Sequence, residues 1–191
     1  MFPRLSLFVS SILQNRKQKK DFLKIESFLR NEQKSIDTLP LISESKKGTL
    51  IVKCDDIGDF LLWQQVIPYI KANAEGPITF VGNSVIQPLM EAWFDFADHY
   101  IWIKKSKWDD ANYRNEIYKE LRLVNAKVAF TPLFTRHFRM DDLMVYASNA
   151  ETRFAWDRSH HPYFPEMSAS DSLITNPIKS KDALKLEYLR H

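Results

Sequence analysis

The sequence predicts an α/β fold: a parallel, doubly wound sheet with a helical extension ahead of it. Three observations predict it. β-prone runs alternate with helix-like segments from residue 49 to 157 at ~25-residue spacing, the rhythm of right-handed βαβ units. The first run, TLIVKC (49–54), is nearly continuous in apolar residues, as a strand covered on both faces must be. The segments between runs open or close on Gly, Pro, Asn, Asp or Ser, the residues that turn a chain.

Each element follows from its residues. FPRLSLFVSSILQN sets Leu5, Phe8, Val9, Ile12 and Leu13 on one helical face, and Phe22, Ile25, Phe28 and Leu29 form a second, so residues 1–35 read as one or two helices. IDTLPLISESKKG (36–48) carries Pro40 and Gly48 and reads as a linker; 1–48 is thus a helical extension. After the first strand, FLLWQQVIPYIKANA is helix-like, with Pro68 marking a kink or an N-terminal turn. GPITFVGN (76–83) is a second strand, and SVIQPLMEAWFDF a helix with Ser84 as candidate N-cap. HYIWIKK (99–105) is a third strand; the helix after it faces inward through Ile117, Leu121 and Val124. AKVAFTPL (126–133) is a fourth strand, RMDDLMVYASNA a short helix and TRFAWD a fifth strand that closes the sheet unit at 157. From 158 to 191 periodicity fades into an irregular tail with no further strand expected.

Composition narrows the function classes. Apolar residues make up 45% of 191, enough for a core, and a net charge of +3 does not by itself call for nucleic acid. One cysteine, Cys54, excludes a disulfide framework and fits a reducing, cytoplasmic setting. No apolar run reaches the ~18 residues of a membrane-spanning helix. The basic cluster RKQKK follows the first apolar stretch instead of preceding it, so that stretch does not read as a signal peptide. Residues 1–20 either lie on an anionic membrane surface or pack against their own domain.

Chemistry concentrates where the first strand ends, in IVKCDDIGDFLLWQQVIPYIK. Open parallel sheets bind ligands outside the carboxyl ends of their strands, near the reversal in strand order. Asp55, Asp56 and Asp59 occupy such a turn; Gly58 permits a tight bend or close ligand approach, and Trp63 is placed to floor a site. A carboxylate there suits a general base acting on a substrate hydroxyl. The glycines of dinucleotide and phosphate loops are missing. The plainer reading keeps Asp59 as a helix cap and Asp55 and Asp56 as solvated turn residues. The turn after the fourth strand gathers Thr131, Thr135, Arg136, His137 and Arg139, and arginine suits phosphate or carboxylate. The alternative is a solvated loop with Asp141 and Asp142 capping the next helix. His160 and His161 lack Cys or acidic partners at ligand spacing, so no metal is expected. Cys54 reads as a small apolar residue at a strand end.

These two segments resemble the heptosyltransferase family, glycosyltransferase family 9. TLIVKCDDIGDFLLWQQVIPYIK is similar to its opening strand, Gly-Asp turn and helix; NAKVAFTPLFTRHFRMDDLMVYASNAETRFAWD is similar to its later strand, Ser/Thr-Arg turn, Asp-bearing helix and strand. The resemblance covers residues 49–157. It implies the N-terminal half of a GT-B glycosyltransferase: a Rossmann-like domain that binds a saccharide or glycolipid acceptor at the inner membrane, for lipopolysaccharide synthesis. A second domain binds a nucleotide-sugar donor such as ADP-heptose, and no metal takes part. The family's general base falls on Asp59, its polar turn residues on Asp55 and Asp56, and its basic acceptor-side turn on Arg136 with Arg139. Here the turn is acidic, which disfavours a phosphorylated acceptor, and the closing Ile-Gly is replaced by Phe154-Ala155. A full family member needs about twice this length, so the chain is expected to be inactive without a separate donor domain. The competing expectations are a non-catalytic or degenerate Rossmann-like binding module, and a nucleotide-binding enzyme of another class.

Overall fold

The computed structural model describes residues 3–133, 135–157 and 165–179, with the side chains of 3–18 and 165–168 outside the description. His160 and His161 lie outside the described residues, as do the side chains of the first amphipathic stretch.

Six strands form one all-parallel sheet: β1 (Thr49–Lys53), β2 (Ile78–Asn83), β3 (His99–Ile103), β4 (Val128–Phe130), β5 (Thr152–Trp156) and β6 (Asn176–Ile178). Their spatial order is β3-β2-β1-β4-β5-β6, so the chain builds outward from β1 on one side, crosses back and builds outward on the other. This is a Rossmann-like doubly wound arrangement, and its reversal lies between β1 and β4.

Side-chain alternation along the strands feeds two cores. Ile51, Ile78 and Phe80 face a layer made by α2 (Ile57–Trp63), α3 (Ile67–Asn73) and α4 (Gln87–Trp93), where Phe60, Ile67, Ile86, Met90 and Phe96 are buried. Leu50, Val52, Val81, Ile101 and Ile103 face the opposite layer, made by α1 (Pro3–Asp37), α5 (Ala111–Val124) and α6 (Leu143–Ala147). A 3-10 segment, Pro165–Leu173, lies against α1 and brings Leu173 into that second core.

Pro68 sits in the first turn of α3 after a 3-10 turn at Gln64–Val66, where its missing N–H costs nothing. The first helix is continuous to Asp37, and Leu29, Ile36 and Leu39 belong to the same buried cluster as the sheet. Two readings are corrected. The 158–191 stretch is not strandless, because Asn176–Ile178 pairs with β5 as an edge strand. Gly58 is not at a tight bend: it is the second residue of α2 and does not adopt a positive φ. Positive-φ glycines occur instead at Gly48 and Gly76, in the turns that lead into β1 and β2.

Candidate functional site

The carboxyl ends of β1, β2, β3 and β4 bring four turns to one edge of the sheet. The β1 turn carries the three aspartates, each with a different environment. The Asp55 carboxylate holds the Lys53 ammonium through Oδ2, and both side chains are largely buried. Its Oδ1 is buried with no hydrogen-bond partner. Burial pushes the Asp55 carboxyl above its usual range against the pull of Lys53, and the nearby Asp59 charge adds to the rise. The Lys53 ammonium also lies 5.4 Å from the centre of the Trp63 ring. Trp63 in turn stacks on Phe80, so the aromatic floor under this turn is part of the core.

Asp56 is the N-cap residue of α2, though its side chain caps nothing; its backbone carbonyl accepts the Phe60 N–H at 3.0 Å. Its Oδ1 accepts from Lys105 at 2.9 Å and from Asn83 Nδ2 at 3.4 Å. Asn83, the last residue of β2, also donates to the Asp55 carbonyl at 3.3 Å and accepts the Val85 N–H. Neighbouring turns are thereby stitched across the strand ends. Asp59, in the first turn of α2, is exposed, and among the described residues its carboxylate makes no hydrogen bond or ion pair. Beside it, a side chain at Gly58 would meet nothing within 4 Å. An exposed carboxylate and an open surface thus stand next to each other in the first turn of α2.

The β4 turn departs from expectation. Arg136 is not a substrate-facing cation: only 1% exposed, its guanidinium bonds the Asp142 and Asp171 carboxylates and the Trp156 carbonyl. It fastens the turn to β5 and to the 3-10 segment. Arg139 reaches the other sheet face, where it pairs with Asp109 at 3.0 Å and lies 4.7 Å from the Phe28 ring of α1. Thr135 is exposed on the turn itself. The expected acceptor-binding set thus divides: Asp55, Asp56, Gly58, Asp59 and Trp63 come together, while Arg136 and Arg139 serve the architecture.

Three residues of this edge went unassigned in the sequence, Lys53, Asn83 and Lys105, and a fourth, Asp141, was read there only as a helix cap. Asn83 and Lys105 stand at the ends of β2 and β3, so the strand-end rule that singled out the aspartates could have found them. Asp141 is 3% exposed. Its Oδ2 accepts the His137 N–H at 2.7 Å while its Oδ1 is buried without a partner. Burial, with the Asp142 and Asp55 charges adding, pushes its carboxyl up to about 7, against the His137 hydrogen bond and the Lys105 charge. Cys54, buried between β1 and this turn, has its thiol pushed up by burial and by Asp141, as suits a small apolar residue at a strand end. Among the described residues, no group of three or more His, Cys, Asp or Glu side chains could hold a metal ion, and no helix is long and apolar enough to cross a membrane.

No protein-family model, no curated protein and no solved structure matches this chain.

Proposed function

We propose that the chain is the acceptor-binding half of an inverting sugar transferase of the heptosyltransferase type, with Asp59 as general base. The observation that carries it is the exposed, unpaired Asp59 carboxylate beside the open space at Gly58, at the carboxyl edge of a Rossmann-like sheet. In this reading a saccharide hydroxyl docks over the β1 turn and gives its proton to Asp59. The hydroxyl oxygen bonds to the anomeric carbon of a nucleotide-sugar while the bond to the diphosphate breaks, the electron pair leaving with the nucleotide. Configuration inverts. A second domain, outside these 191 residues, presents the donor, and the acceptor is met at the cytoplasmic membrane surface.

The charge pattern widens the acceptor class. Lys53 and Lys105 neutralise Asp55 and Asp56, and Lys104 and Lys107 stand exposed on the same β3 turn. The acidic turn therefore does not bar a phosphorylated or carboxylated saccharide.

Titration of the isotope-labelled chain with deacylated core oligosaccharide and methyl glycosides, followed by NMR, tests the reading. Shifts centred on residues 55–63 are expected. Asp59→Asn should bind equally well yet lose at least about a hundredfold in transfer when a donor domain is supplied. Absence of binding, or undiminished transfer by the variant, would overturn it. The burial of Arg136 favours a second reading, a non-catalytic binding module, under which saccharide binds but no donor domain restores transfer.

A further inference from the structure

The sheet ends in two edge strands of different character. β6 is three residues long and carries Pro177, which cannot donate to a further strand. β3, at the other edge, reads HYIWI, with neither proline nor glycine to blunt it. Among the described residues no strand lies on its far side. The directions of its backbone groups follow from the registers. The Thr49 N–H donates to the Pro77 carbonyl at 2.9 Å, so Thr79, Val81 and Asn83 turn their backbone groups to β1, and Ile78, Phe80 and Gly82 turn theirs to β3. Ile101 lies opposite Val81, between Phe80 and Gly82, so His99, Ile101 and Ile103 bond β2. Tyr100 and Trp102 point their N–H and C=O groups away from the sheet, and among the described residues nothing bonds them. The open stretch is bracketed. The Asp98 N–H is turned back to the Ile78 carbonyl at 2.9 Å, and the Lys104 N–H is taken by the Tyr113 hydroxyl at 2.9 Å. Above the open stretch the half-buried Tyr100 and Trp102 rings stack, 5.5 Å apart and 6° from parallel.

We propose that β3 pairs antiparallel with β3 of a second copy of this chain, about a two-fold axis at Ile101, to make one continuous sheet. Tyr100 then stands opposite the second copy's Trp102, and Trp102 opposite its Tyr100, and each pair exchanges both of its N–H···O bonds. A shift of two residues either way sets a free residue against Asp98 or Lys104, whose N–H groups are already engaged. Opposite residues share a face, so the two stacked ring pairs join into one aromatic ladder. The same register brings Asp98 opposite the second copy's Lys104 at both ends, and both side chains are exposed. An in-register parallel pairing would instead set like charges together. A lysine on an edge strand commonly repels a second strand; here the antiparallel sense turns it into a match, and the contact is self-complementary as a two-fold interface must be. The strands run in opposite directions, so the two Asp59 turns come to opposite ends of the joined sheet. The inference does not depend on the transferase reading.

Sedimentation and amide hydrogen exchange, followed by NMR on the full chain from micromolar to millimolar concentration, test the pairing. The expected result is a dimer at high concentration, in which the Tyr100 and Trp102 amides exchange at least tenfold more slowly than in the dilute monomer. His99, Ile101 and Ile103 should be protected at every concentration. Lys104→Glu sets two carboxylates against each other and should raise the dimer Kd at least tenfold at unchanged Tm. Adding Asp98→Asn, which keeps an acceptor for the Ile78 N–H now held at 2.7 Å, should recover part of that loss. A chain that sediments as a monomer at millimolar concentration overturns the proposal. So does a dimer whose Tyr100 and Trp102 amides exchange as fast as in the monomer, because the contact then lies elsewhere, and so does a folded Lys104→Glu variant that dimerises as the wild type does. Should Lys104→Glu lower Tm, the concentration dependence of the two wild-type amides decides alone.

Discussion

Gly58 occupies the second position of α2, where alanine is the better helix former by about 0.5–1 kcal/mol. No neighbour lies within 4 Å of the place a Cβ would take, so nothing inside the chain requires glycine there. If the open space is where an acceptor ring rests, Gly58→Ala should raise Tm by roughly 1–4 °C and weaken saccharide binding several-fold. Differential scanning calorimetry and NMR titration measure the two effects; a variant that gains stability without losing affinity places the acceptor elsewhere. At this scale the sequence was informative where chemistry is local. Asp55, Asp56, Gly58, Asp59 and Trp63 lie within nine consecutive residues, and the strand-to-helix change sets them on one turn. Arg136 was misread because what decides its role is remote: Asp171 stands 35 residues away in sequence. An arginine awaiting a ligand and one already satisfied by two aspartates look alike in a string of letters. Asp141 was hidden for a similar reason, since its burial is created by the sheet and by the helices layered over it.

The elements were legible wherever periodicity was strong. Strands β1 to β5 emerged from their apolar runs, and the helices between them from their inward faces. β6 was missed because Asn-Pro-Ile breaks the expected pattern: proline cannot donate to a ladder, and it is tolerated here only because the strand is at the edge. The first helix was recognised as helical through Phe22, Ile25, Phe28 and Leu29, and packing against its own domain was one of two readings for its start, but the partners that seat it were not legible. Glu32 of α1 accepts from Arg114 Nε at 3.0 Å and Nη2 at 2.8 Å, and from the Tyr118 hydroxyl at 2.9 Å. Arg114 also donates to the Trp108 carbonyl at 2.8 Å and lies 5.7 Å from the Phe28 ring. Removing one partner of a buried ion pair strands the other. Arg114→Ala should cost about 3–5 kcal/mol in urea unfolding, whereas replacing Glu32 and Arg114 together by apolar residues should cost much less than the sum of the single changes. Additive losses would show that the pair is not what seats α1.

For the whole molecule, burial of carboxyls at the strand-end edge has a thermodynamic signature. The folded-state value for Asp141 is raised to about 7 from an ordinary 3.8, and Asp55 is raised in the same direction. Between those limits the native chain holds more protons than the unfolded one, so the contribution of these groups is favourable at low pH and is lost as pH rises through the folded value. For Asp141 alone the loss is up to about 4 kcal/mol, at 1.36 kcal/mol per unit. Urea unfolding at pH 5 and pH 8 should show the protein more stable at the lower pH, and Asp141→Asn should flatten that slope. A wild-type profile that rises with pH and is unaltered by the substitution would contradict this burial. Fold class was the most legible property of all, because alternating strands and helices admit few topologies. The position of the reversal, which decides what the turns can do together, became visible only with the strand order.

The contact between α1 and the 3-10 segment Pro165–Leu173 joins stretches far apart in sequence. During synthesis α1 is made well before this segment, and the side it turns to it stays uncovered until the segment follows. Closure of that layer is therefore a late step, slow wherever distant pieces must find each other before any local gain repays the search.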